Sequence, residues 1–107
     1  MAPGRRFTLR FAHEAVEHLD SIERKYHGLI RANIRQRLTV EPLRETRNRK
    51  PLNTPAPFAA AWELRFGPGN RFRVFYEVDE INNEVRVLAI GVKSANRLLI
   101  GGEEYHT

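Results

Sequence analysis

Trp62-Glu63-Leu64-Arg65-Phe66, Gly67-Pro68-Gly69-Asn70 and Arg71-Phe72-Arg73-Val74-Phe75-Tyr76-Glu77-Val78 form the stretch from which the fold is read. Trp62, Leu64 and Phe66 alternate with Glu63 and Arg65, and Phe72, Val74, Tyr76 and Val78 alternate with Arg71, Arg73, Phe75 and Glu77. That period of two marks strands with one buried face, and the Gly-Pro-Gly-Asn between them has the chemistry of a hairpin loop. If the apolar set faces a core, alternation sends Arg65, Arg71 and Arg73 to the opposite face of the same hairpin.

On the C-terminal side, Asn82-Asn83 supplies a turn, and Val85 to Val92 is apolar at nearly every position, as in a central strand covered on both faces. Beyond Lys93 we expect only a short apolar run, a Gly101-Gly102 break and a polar end. On the N-terminal side, Phe7, Leu9 and Phe11 alternate as a first strand. Ala12, Val16, Leu19, Ile22 and Tyr26 then recur at helical steps, which predicts one amphipathic helix ended by His27-Gly28. A second helix from about Leu29 presents Ile30, Ile34 and Leu38 on one face and Arg31, Arg35 and Arg37 away from it. Residues 41–57 lose all periodicity and carry four prolines and a basic run, so we expect an irregular surface connector.

The order is β-α-α-β-β-β. It predicts a two-layer α+β fold in which a helix hairpin packs on one face of an antiparallel-rich sheet. At 107 residues the chain has room for one domain, residues 1–107.

Eighteen Lys and Arg, nearly all Arg, stand against thirteen Asp and Glu, for a net charge of +5. Guanidinium groups suit bidentate phosphate contact, so a polyanionic partner fits, although charge alone is equally explained by solubility. With no Cys, a disulfide scaffold, a thiolate nucleophile and a Cys-rich zinc site are excluded. No apolar run approaches the ~20 residues of a membrane span, and Met1 to Arg6 leads into none. The expectation is a cytoplasmic protein with no membrane association.

No phosphate-binding Gly-rich loop, serine triad or metal-ligand spacing occurs, and no cofactor is expected. The chemistry must come from the arginine face. Arg65, Arg71 and Arg73, with Arg10, Arg86, Lys93 and Arg97 around them, suit a phosphodiester backbone, and Phe75 offers a ring for stacking. An ordinary solvated sheet face explains the same arginines, but their clustering on one hairpin favours a ligand. Metal-free RNA cleavage also needs proton transfer, for which Tyr105, His106, Lys93 and Glu63 are the candidates. A frayed C-terminus equally accounts for Tyr105 and His106.

Lys50-Pro51-Leu52, Trp62 to Arg65, Arg71 to Tyr76 and Val87 to Lys93 together resemble the second half of RelE/ParE superfamily toxins, and Arg73 is the most specific match. The resemblance implies a ribosome-dependent endoribonuclease (mRNA interferase) that cuts mRNA, inhibits translation and is neutralised by a cognate antitoxin. Carried over by position, Arg73 stabilises the transition-state phosphate, Arg65 holds backbone, and Arg97 with Tyr105 or His106 completes the site from the tail. The pattern departs where Glu63 and Arg65 stand in place of two lysines. Two alternatives share the fold: a ParE-like inhibitor of DNA gyrase without catalysis of its own, and a degenerate module that binds only its antitoxin.

Overall fold

The computed structural model describes residues 5–106. Strand β1 (Thr8–Phe11) leads into α1 (His13–Asp20), a 3-10 turn (Arg24–Tyr26) and α2 (His27–Leu38). Strands β2 (Arg49–Pro51), β3 (Trp62–Phe66), β4 (Phe72–Asp79), β5 (Glu84–Ser94), β6 (Arg97–Ile100) and β7 (Glu103–Glu104) follow. They form one sheet in the order β2-β3-β4-β5-β6-β7, and β1 pairs with β5 in parallel. The two-layer α+β arrangement is the expected one, with three further short strands.

The long first helix predicted to Tyr26 is corrected by the structure. It stops at Asp20, because Ser21 donates both its hydroxyl (2.6 Å) and its N–H (3.1 Å) to the His18 carbonyl. Glu23 is then extended. The pair His27-Gly28, read as a terminator, instead opens α2, where the His27 ring Nε2 donates to the Ile22 carbonyl at 2.7 Å. A polar residue that can hydrogen-bond its own turn competes with the helix, and apolar spacing does not register it.

The connector is also more ordered than its sequence suggests. Arg49, 7% exposed, donates to the carbonyls of Arg37 (2.9 Å) and Arg44 (3.2 Å) and places a cation against the last turn of α2. The buried Tyr76 hydroxyl donates to the Pro42 carbonyl at 2.6 Å. These two ties lay Arg49–Pro51 along β3 as an added edge strand. The tail, expected to be a short apolar run, a Gly101-Gly102 break and a polar end, forms β6 and β7.

Apolar residues fill both faces of the sheet's middle. Leu64, Val74, Tyr76, Val87 and Ile90 meet Ala15, Leu19, Ile30 and Ile34 of the helices. On the other face Phe75, Ala60, Ala89 and Ile100 make a second, smaller core with Leu52, Leu98 and Tyr105 against it. Between Phe75↔Ala89 and Tyr76↔Val87 the register skips Leu88, a bulge that lets β5 serve both cores.

The outer edge of β5 is shared, since β1 covers residues 84–87 and β6 covers residues 91–94. In the gap between them α1 supplies His18, whose Nδ1 accepts the Ile90 N–H at 3.3 Å. Burial lowers the pKa of His18 from its ordinary value, against the opposing charges of Glu14 and Glu17.

Candidate nucleic-acid interface

Arg65 and Arg73 are directly opposite each other in the β3–β4 ladder, a placement in which like charges repel. Glu63 resolves this. Its side chain, 7% exposed, accepts from Arg65 Nε at 2.9 Å through one oxygen and from Arg73 Nη1 at 3.4 Å through the other. Arg73 Nε donates in addition to the Asn70 carbonyl of the hairpin loop at 2.9 Å. The loop reaches that position because Gly67 and Gly69 take positive φ, and at Gly67 a Cβ would fall 2.5 Å from the Phe72 ring. Arg73 is thus fixed from two sides, with other N–H groups of its fork uncommitted.

Lys93 and Tyr105 complete this face. Gly91 is the β5 partner of Arg73, and Lys93 lies two residues farther along the same side of the strand. A side chain at Gly91 would meet the Leu99 carbonyl oxygen at 2.9 Å, so its absence allows β6 to approach closely. The Tyr105 N–H donates to Leu98 O at 2.8 Å, and its ring packs on the second core. Lys50 of β2, in register with Glu63, adds a cation at the margin.

Other expected members lie elsewhere. Arg71 is on the helix side, its guanidinium 5.5 Å from the Tyr26 ring centroid and 5.7 Å from that of Phe72, which corrects the expectation of a face shared with Arg73. It precedes β4, where the turn Pro68–Asn70 interrupts the alternation counted back from Phe72. Phe75 is 1% exposed and forms the floor of the second core, so it offers no open ring for stacking. Arg86 and Arg10 occupy the far end of the sheet, bound to Glu77 at 3.2 Å and Glu84 at 3.1 Å. Arg97 and His106 converge on Glu104, each at 3.1 Å, and not on Arg73. Among the described residues no group of His, Asp or Glu is placed to hold a metal, and no helix is long and apolar enough to cross a membrane.

What sequence reasoning missed is the role of Glu63. Its signal was present, since a carboxylate among the arginines on one face of the hairpin calls for partners.

The chain matches no protein-family model and none of the curated proteins. Among solved structures it is similar to a chain of the toxin-antitoxin complex RelBE2 from Mycobacterium tuberculosis, with a TM-score of 0.64 and 24% identity, over 82% of this chain and 99% of that one. Two helices packed on an open, mostly antiparallel sheet, in this order and with this match, give the chain a RelE-like fold.

Proposed function

We propose that this protein is the toxin of a toxin-antitoxin pair and that the Glu63-Arg65-Arg73 face cleaves messenger RNA on the ribosome without a metal. The observation that carries the proposal is a pair of guanidinium groups held by one buried carboxylate, on the sheet face that also carries Lys93 and Tyr105. In-line attack of the ribose 2′-oxygen on phosphorus breaks the bond to the 5′-oxygen. It needs one proton removed, one delivered and the phosphorane's charge stabilised. Arg73 supplies the charge stabilisation through the donors that Glu63 and Asn70 leave free. Arg65, more exposed, and Lys93 hold the flanking phosphates. Tyr105, whose ring packs on the second core of this face, is the tail group we assign to proton exchange, whereas Glu63 is engaged by two arginines and serves to position them.

A non-catalytic reading, inhibition of DNA gyrase, draws support from one observation: Arg97 and His106 are tied to Glu104, which leaves few groups for proton transfer beside Arg73. In either case the neutralising antitoxin is expected to be acidic and apolar. The groove between β1 and the helices, with Phe11 and Val16 exposed and Arg31 and Arg35 in its lining, suits such a segment.

The test is mapping of mRNA 5′ ends on translating ribosomes with wild-type protein, Arg73→Ala and Arg73→Lys, each checked for folding. Cuts at A-site codons that disappear in both variants support the nuclease. Growth arrest without cuts moves the reading to gyrase, and an Arg73→Ala protein that still cuts removes Arg73 from the mechanism.

A further inference from the structure

A cavity of about 220 Å³ opens on the helix side of the sheet, at the end where β4 begins and β5 finishes. Its apolar walls are Ile22, Tyr26, Phe72 and Leu99; Arg71 and Glu23 also line it, together with Ser21 and Ser94. Arg71 packs its guanidinium near two aromatic rings and pairs with no carboxylate among the described residues. Glu23 is held only by an exposed contact to Lys25 at 3.6 Å. The site therefore combines flat apolar walls, a fork of donors and a carboxylate acceptor whose one ion pair, to Lys25, is exposed.

That combination matches one nucleobase better than the others. Guanine offers a pair of acceptors, O6 and N7, which a guanidinium reads bidentately, and carries donors on its N1 and N2 edge that a carboxylate accepts. Adenine places a donor beside N7 and would leave the fork half satisfied. Aromatic rings such as Tyr26 supply the stacking surface by which proteins hold unpaired bases.

Location links the cavity to the phosphate face. Arg71, in the turn just before β4, and Arg73 are two residues apart in sequence, and because that turn breaks the alternation they project to opposite sides of the sheet. The Lys93 N–H meets the Arg71 carbonyl at 2.6 Å, so the cation of one face and the backbone of the other are joined at this end. A single strand lying on Arg65, Arg73 and Lys93 can turn over the sheet's end and place one base in the cavity. We infer that the cavity lined by Tyr26, Arg71 and Glu23 is a guanine-binding subsite for a single-stranded RNA held on the arginine face. The inference rests on the RNA reading of that face.

The test is fluorescence anisotropy of the full chain with two labelled, uncleavable 2′-O-methyl strands, an oligoadenylate and the same strand with one central guanine. The guanine strand should bind about tenfold more tightly. Glu23→Gln, on an exposed side chain, and Arg71→Ala should each erase the preference and leave oligoadenylate binding within about twofold. Arg73→Lys should weaken both strands alike. Equal binding of the two strands by wild type, or a preference that survives Glu23→Gln, overturns the subsite while the phosphate face stands, and leaves the cavity to an apolar side chain of a protein partner. Binding of neither strand overturns both.

Discussion

The two ends of the β4–β5 ladder carry the same ingredients and assemble them differently. At one end Arg86 meets Glu77 and Arg10 meets Glu84, each in its own exposed pair. At the other, Arg65 and Arg73 share one buried carboxylate, and Arg73 is only 12% exposed. About 13 Å along the strands separates Arg73 from Arg86. Exposed pairs neutralise one another, are screened by salt and fix little geometry. A carboxylate shared by two guanidinium groups leaves a net positive charge in a fixed orientation, which is what recognition of a phosphate requires. How the arginines are held, and not their number, distinguishes the two ends.

The comparison breaks most visibly at Glu63. In Glu63→Ala, two guanidinium groups face each other across β3 and β4 with no counter-charge, and Arg73 remains nearly buried. The expected cost is about 3 kcal/mol of unfolding free energy, with RNA binding lost as the fork loosens. Glu77→Ala at the other end should cost under about 0.5 kcal/mol. Urea denaturation of both variants measures the difference, and similar values for the two would mean that Glu63 is no more than a surface carboxylate.

The sequence showed the hairpin, its arginines and the central strand plainly, because alternation over many residues is a strong signal and the core obeys it. It concealed whatever depended on one residue meeting another far away. The edge strand β2 exists because Arg49 reaches the end of α2, and nothing in Arg49-Lys50-Pro51 announces that contact. Phe75 looked solvent-facing by parity, yet residues from the connector and the tail cover that face. Glu63 appeared to spoil a phosphate site until its two partners were seen. Arg97 and His106 were legible as basic tail residues, but their destination depended on Glu104 and a Gly101-Gly102 turn, where both glycines take positive φ.

Between the two ends lies His18, which bridges the gap in the outer edge of β5 only while its Nδ1 is unprotonated. Its folded-state pKa is lowered by burial, so the unfolded chain takes up the proton first. The associated stability is fully present above the unfolded value near 6.5 and is lost as pH falls through it toward the folded value. Denaturation midpoints should decline from pH 7 to pH 5, and His18→Gln should flatten the decline. A midpoint in the wild type that holds steady or rises over this range would exclude His18 as the seam.

The smallest expected effect is the most discriminating. Arg86→Ala and Arg73→Ala remove the same unit of charge from the same sheet, so any long-range attraction of RNA falls equally in both. Only the organised cluster distinguishes them. Arg86 is half exposed and already paired, and its loss should change stability by less than about 0.5 kcal/mol and RNA affinity by less than about twofold. Anisotropy titrations at two salt concentrations make the comparison, since a diffuse charge effect weakens with added salt whereas an oriented contact persists more strongly. If Arg86→Ala weakened binding as much as Arg73→Ala, the whole face would act as one basic surface, and the buried carboxylate at Glu63 would be a matter of folding alone.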